Sequence, residues 1–284
     1  MAHDKEHQAT LKAPNWLRQS FAVFEFLSPK LTAKIASILF LTPIRFNIPK
    51  KEIELSRLAK TKTIKFKNKK VQIYEWGVGE KAILLVHGWA SRATQVAHLA
   101  VPLIKVGYKV FSFDAPAHGN SNGRRTHVLE FSDLIFKIKK LHPEIESIIG
   151  HSMGGAACIY AITEGFIAKK CITIGSPSSA KWILKSFCNT LNVNSKLEKM
   201  IKDHLEAKFE KKIDDLSISN MVKSIDTDGL IIHCEEDIDS PVKSAHEIHK
   251  NWKNSKLVIT KKLGHRRILK NKEVSQKIID FLKS

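Results

Sequence analysis

Three side chains, far apart along the chain, could together make an alcohol react. Ser152 stands in Gly150-His151-Ser152-Met153-Gly154, a G-x-S-x-G pattern with Gly155 as an extra small residue. A serine hydroxyl is a poor nucleophile unless a base removes its proton, and that base needs a carboxylate to orient it and stabilise its cation. Asp237 and His265 follow in that order downstream. The glycines around Ser152 have a steric reason. A serine held in a strained conformation at a strand-to-helix corner leaves room only for tiny neighbours two residues either side. Its hydroxyl is then exposed at a helix N-terminus, where free N–H groups favour negative charge.

These residues need a scaffold, and the hydrophobic pattern predicts one. Residues 82–86 (AILLV) form a continuous apolar run, and further short strands are expected at 110–113 (VFSF), at Ile145, Ile148 and Ile149 before the serine, and at 170–174, 229–233 and 256–260. Continuous rather than alternating apolarity predicts strands buried on both faces, as in a parallel sheet. Helices are expected over 92–106, over 126–141 with Val128, Phe131, Leu134, Ile135, Ile138 and Leu141 on one face, from Pro241 to 251, and over 274–282. This alternation is the doubly wound α/β pattern, whose sites lie beyond the carboxyl ends of the strands. His87, Asp114, Ser152, Asp237 and His265 all fall there.

Two regions depart from the alternation. Residues 1–60 read as a helical extension, with Trp16, Phe21, Phe24, Phe26 and Leu27 on one helix and Leu31, Ile35, Ile38, Leu39 and Leu41 as the apolar side of a second that opens at Pro29. Residues 178–225 read as helices without strands, with Leu197, Ile201, Leu205 and Phe209 recurring every fourth residue, an insertion placed to form a cap or lid. The core is then 61–177 and 226–284. It opens with two alternating strands around Asn68-Lys69, a hairpin at a sheet edge whose outward lysines guard it against pairing.

From about Thr61 onward the chain resembles the α/β-hydrolase-fold superfamily of serine hydrolases. Four blocks carry the likeness: His87-Gly88-Trp89; Asp114-Ala-Pro-Ala-His118-Gly119-Asn-Ser121; Gly150-His151-Ser152-Met153-Gly154-Gly155; and Asp237 with His265. The resemblance implies a mostly parallel twisted sheet with helices on both faces, a nucleophile Ser152, a base His265 and an acid Asp237. It also implies an oxyanion hole from the backbone N–H groups of Trp89 and Met153, with His87, Gly88, Gly150, His151 and Gly154 as site neighbours. The chain departs from the family where Cys234 stands in place of a common glycine three residues before the acid. Asp239 and Glu236 are rival acids; Asp237 is favoured because Pro241 follows at the family's usual offset. His118 is an alternative base on paper, and its bland reading is a loop-packing residue.

Composition bounds the rest. The formal charge is +19 and the isoelectric point about 9.7. Such a surplus attracts anionic surfaces, or is simply a solvated lysine-rich exterior. Lysine outweighs arginine and no nucleic-acid motif is present, so no specific nucleic acid is expected. Cys158, Cys171, Cys188 and Cys234 show no metal or redox spacing, and no G-x-G-x-x-G or Walker-type loop occurs, so neither metal nor cofactor is expected. The polar stretch 1–10 lacks a secretory pattern, and a reducing cytoplasm fits the cysteines. The expected activity is cleavage of a carboxylic ester, thioester or similar small acyl molecule through an acyl-enzyme. Acyl transfer, C–C bond hydrolysis, and a non-catalytic binding protein with a basic face for anionic membranes or polyanions are the alternatives. Oligomeric state is not readable.

Overall fold

Eight strands form one sheet in the order β1-β2-β4-β3-β5-β6-β7-β8. The computed structural model describes residues 13–284; the stretch 1–10, read above for a leader, lies outside the described residues. β1 (Lys60–Phe66) and β2 (Lys69–Trp76) form an antiparallel hairpin, and β2 pairs antiparallel with β4 (Lys109–Phe113). From β3 (Ala82–Val86) through β4, β5 (Ile145–His151), β6 (Lys170–Ile174), β7 (Asp228–Cys234) and β8 (Ser255–Thr260), neighbouring strands run parallel. Every residue of β3 is buried, which is why its sequence shows no alternation. β1 is the edge the sequence predicts: Ile64 and Phe66 point inward and its lysines lie outside.

Three helices precede the sheet: α1 (Asn15–Leu27), α2 (Pro29–Phe40) and α3 (Lys50–Arg57). The 92–106 helix is broken into α4 (Ala93–Val96) and α5 (Ala100–Lys105). Pro102 explains the break: it has no N–H to give to the carbonyl four residues back, and is tolerated only in a first turn. α6 (Val128–Leu141) and α7 (Met153–Thr163) cover one face of the sheet, with Phe131, Leu134, Ile135 and Ile138 in its core. Between β6 and β7 come α8 (Ala180–Leu191), α9 (Ser195–Phe209) and the short α10 (Ile218–Met221). α11 (Lys243–Asn251), α12 (Gly264–Arg267) and α13 (Lys272–Lys283) complete the chain, α13 burying Val274, Ile278 and Ile279 against the other face.

A third apolar core lies away from the sheet. Phe21, Ala33, Ala36 and Leu41 of the N-terminal helices pack with Leu184, Cys188, Leu197, Ile201 and Leu205 of α8 and α9. Of the apolar residues predicted for α1 and α2, Phe21, Ile35 and Leu41 dock, but most of the others do not. α2 buries Thr32, Ala33, Ala36 and Ser37, while Leu31, Ile38 and Leu39 stay outside; in α1 only Phe21 is buried. Small side chains let α2 lie close against α9, and that close approach selects the small face over the large one.

α3 escapes the sequence reading because its pattern is inverted: Ile53 is exposed and Glu52 buried. Glu52 Oε2 accepts from Arg92 Nε (2.7 Å) and Thr94 Oγ1 (2.9 Å), and the guanidinium also donates to the carbonyls of Phe46 and Asn47. Arg45 donates to the carbonyls of Gly119, Ser121 and Gly123. The N-terminal segment is thus tied by charge-assisted bonds to the two loops that follow β3 and β4. Glu52→Ala leaves the buried Arg92 guanidinium uncompensated and is expected to cost about 3–5 kcal/mol, against about 0.5 kcal/mol or less for exposed Glu54→Ala. Urea unfolding of the two variants checks this; equal costs would mean that the pair does not hold the segment.

Candidate active site

Ser152 sits where β5 turns into α7, with φ 54° and ψ −124°. A non-glycine residue in that region is strained and persists only where its surroundings over-determine it. The surroundings here are backbone. A Cβ on Gly154 would collide with the carbonyl of Val86, and one on Gly150 with the backbone of Gly154 and Gly155. A Cβ on Gly88 would lie 2.8 Å from the Ser152 Cβ. The segment leaving β3 therefore runs directly over the serine. Ser152 N–H donates to the Ile174 carbonyl (2.8 Å), and Ser176 Oγ donates to the Ser152 carbonyl (2.9 Å), so β6 also grips the turn.

Asp237 and His265 meet at the ends of β7 and β8. His265 Nδ1 is 2.7 Å from Asp237 Oδ2, so it carries the proton shared with the carboxylate and leaves Nε2 for another partner. Asp237 Oδ1 accepts the backbone N–H groups of Asp239 (3.0 Å) and Ser240 (2.9 Å). Asp237 is buried; the rivals Asp239 and Glu236 are exposed, and Glu236 instead accepts from Lys262 N–H (2.6 Å). Among the described residues Ser152 Oγ has no hydrogen bond to the imidazole. Such bonds are often long in a free site and tighten around a ligand.

The backbone N–H groups of Trp89 and Met153 have no acceptor among the described residues. Met153 is the first residue of α7, where an N–H has no partner within the helix. Both donors flank Ser152, one following Gly88 and one following the serine itself.

Three buried histidines hold this geometry, and the bond each makes identifies its tautomer. His87 Nε2 accepts Ala115 N–H (3.0 Å), so Nδ1–H donates to the Gly88 carbonyl (2.7 Å). His118 Nε2 accepts Ala90 N–H (3.0 Å) and its Nδ1–H donates to the Pro116 carbonyl (3.1 Å). His151 Nε2–H donates to the backbone carbonyl of His265 (2.8 Å), with the two rings 4.6 Å apart. Burial disfavours the cation in each: His87 is pushed well below 6.5, His118 to about 4 and His151 to about 3. His118 is thereby a strut for the loop carrying Trp89, not a base. Asp114 is a strut too. It accepts from Ala93 N–H, Asn120 N–H and Tyr74 OH, and burial raises its carboxyl above the usual range.

Sequence reasoning missed two contributors and left one unexplained. Gly175, after β6, has φ 60°, and a Cβ there would lie 3.2 Å from both Asp237 Oδ2 and His265 Nδ1. Ser176 follows it. Their position after the strand beside the nucleophile's strand was the available signal. Cys234, the departure from the family, is buried, and its sulfur accepts the N–H groups of Leu263 (3.3 Å) and Gly264 (3.0 Å) while its thiol donates to Glu236 Oε2 (3.2 Å). The thiol ties the loop that presents His265 to the strand that presents Asp237.

The eight-stranded sheet and the serine turn form an α/β-hydrolase fold. Residues 79–218 match the family described as serine aminopeptidase, S33. A monoacylglycerol lipase of Mycolicibacterium smegmatis is 33% identical over 81 residues, 26% of this chain and 29% of that protein. A monoglyceride lipase of Rattus norvegicus is 30% identical over 130 residues, 41% of this chain and 43% of that protein. The matched parts thus span less than half the length of these two relatives. An esterase of Pyrococcus furiosus has the same fold, with a TM-score of 0.63 at 23% identity over 86% of this chain and 98% of that one. The scaffold is of the serine-hydrolase type.

The neutral histidines make stability depend on acid. His118 and His151 bind a proton when unfolded below 6.5 but resist it folded, so the unfolded state takes up more protons in that window. Stability is expected to be level in this respect above pH 6.5 and to fall as pH drops towards about 4, with His118 alone contributing up to about 3 kcal/mol. Denaturant midpoints across pH 4–7 should show a shallower acid limb in His118→Asn. An unchanged limb would rule out the neutral strut.

Proposed function

We propose that the protein is a cofactor-free serine hydrolase of small carboxylic esters. The observation that carries the proposal is the strained Ser152 turn together with the Asp237–His265 pair at 2.7 Å, all at the carboxyl ends of parallel strands of one sheet. In this reading Ser152 Oγ attacks the acyl carbon while His265 Nε2 takes its proton. Asp237, held by two backbone N–H groups, keeps the imidazole oriented and stabilises its cation. The oxyanion is received by the N–H groups of Trp89 and Met153. Each such donor is typically worth about 10²–10³ in rate. His265 then protonates the leaving alcohol, which departs. Water attacks the acyl-enzyme with His265 as base, and the free acid and serine are regenerated.

Monoacylglycerols are the first natural ester class to test, since two partial relatives are lipases of that class. The helices between β6 and β7 leave the sheet at the end where Ser152 lies, which supports a cap that sizes the acyl chain. The same triad could instead pass the acyl group to another acceptor, cleave a C–C bond, or cut an aminoacyl amide as the matched family's description suggests.

The test uses a fluorophosphonate probe, p-nitrophenyl acetate, a monoacylglycerol and an aminoacyl anilide. Labelling and ester cleavage are expected for the native chain. Ser152→Ala should abolish labelling, and Asp237→Asn should lower kcat by about 10²–10⁴ with little change in KM. Labelling that persists in Ser152→Ala would refute the assignment. Cleavage of the anilide alone would replace esters with amides.

A further inference from the structure

The two N-terminal helices carry their large apolar side chains on the wrong side for a surface helix of an isolated domain. In α1, Trp16, Val23 and Leu27 are spaced i, i+7 and i+11 and so stack on one face, on the far side from buried Phe21. Trp16 is 67% exposed and Leu27 70%, and Phe26 beside them is 89% exposed. In α2, Leu31 (56% exposed) and Ile38 are likewise seven apart and open, while Ala33 and Ala36 face α9. Scattered exposed leucines need no explanation, but whole helix faces of Trp, Phe and Leu in successive helices do.

We propose that α1 and α2 form a docking face for the surface of an anionic lipid bilayer. The charge of the surroundings chooses the occupant. Residues 13–46 hold Arg18, Lys30, Lys34 and Arg45 against one acid, Glu25. Residues 50–70 hold nine cationic side chains against Glu52 and Glu54, and Glu52 is already committed to Arg92. This basic segment follows α2 closely in the chain, and both are anchored on the loop after β4. Leu41, just after α2, accepts Thr126 N–H, Arg45 grips the carbonyls of 119–123, and Lys69 of the β1–β2 hairpin reaches the Arg125 carbonyl in the same loop. An apolar strip of Trp, Phe and Leu flanked by lysine suits the boundary between headgroups and acyl chains. A second copy of a chain bearing +19 suits it poorly, because like charges would meet around the contact. With 13 and 12 residues the helices are too short to cross a hydrocarbon layer of about 30 Å, so the face lies on the bilayer rather than through it.

This proposal does not depend on the hydrolase reading, and its test needs no turnover. Vesicles of phosphatidylcholine alone and of phosphatidylcholine with phosphatidylglycerol are floated with the full chain at low and high salt. The native protein is expected to float with the anionic vesicles, less so at high salt, and its tryptophan emission to shift to the blue, a shift that Trp16→Phe diminishes. Phe26→Asp with Leu31→Asp should reduce flotation by about tenfold or more. Circular dichroism and the urea midpoint of that variant should match the native chain, since both residues are exposed. Absence of flotation with anionic vesicles, or flotation unchanged in the double variant, would overturn the proposal. So would a dimer by ultracentrifugation in lipid-free buffer that the double variant dissolves, which would assign the face to a second copy.

Discussion

The close approach of two stretches of backbone governs the site. Where β3 ends and α7 begins, the carbonyls of Val86 and His87 lie against Gly154, and the backbone of Gly88 lies over Ser152. No side chain fits between them. That contact holds the serine in its strained turn, with Trp89 following Gly88 and Met153 following the serine itself. Strain at one residue is supported by tight packing across several strands, which is the usual condition for its survival.

Burial also divides the histidines by role. His87, His118 and His151 are neutral because the interior penalises their cations, and a neutral imidazole can accept one backbone N–H or donate to one carbonyl on each side. His87 and His118 serve as two-ended struts within the loops after β3 and β4, while His151 reaches the His265 carbonyl through one ring nitrogen. His265 alone among the histidines around Ser152 is paired directly with a carboxylate at hydrogen-bond distance, on Asp237. The carboxylates divide in parallel: Asp114 saturates its oxygens with loop donors, whereas Asp237 keeps one oxygen for an imidazole. Environment, more than residue type, separates these two kinds of pairing.

The N-terminal helices join the two ends of this organisation. Their small residues pack on the helices inserted between β6 and β7, and the segment after them is bonded to the loops beside the site. An extension that looks dispensable in the chain order is built into the layer nearest the site.

Much of this was legible in the residues themselves. Apolar runs without alternation announced a parallel sheet, because burial on both faces demands it, and tiny residues around Ser152 announced a tight corner, because only they fit. The order serine, acid, histidine at strand ends followed from those two facts. What pattern could not decide was which of Asp237, Asp239 and Glu236 turns inward, since all three are acids on one loop and only the loop's hydrogen bonds select one. Nor could it show that Cys234 replaces a glycine by bonding the next loop, or that Pro102 splits a helix, or that α2 buries alanine and exposes leucine. Periodicity reports which face is apolar; the neighbour's shape decides which face docks. Local sequence therefore determined the strands, the turn and the candidate chemistry, while tertiary packing decided partners, protonation and orientation, because those depend on groups that meet only across the fold.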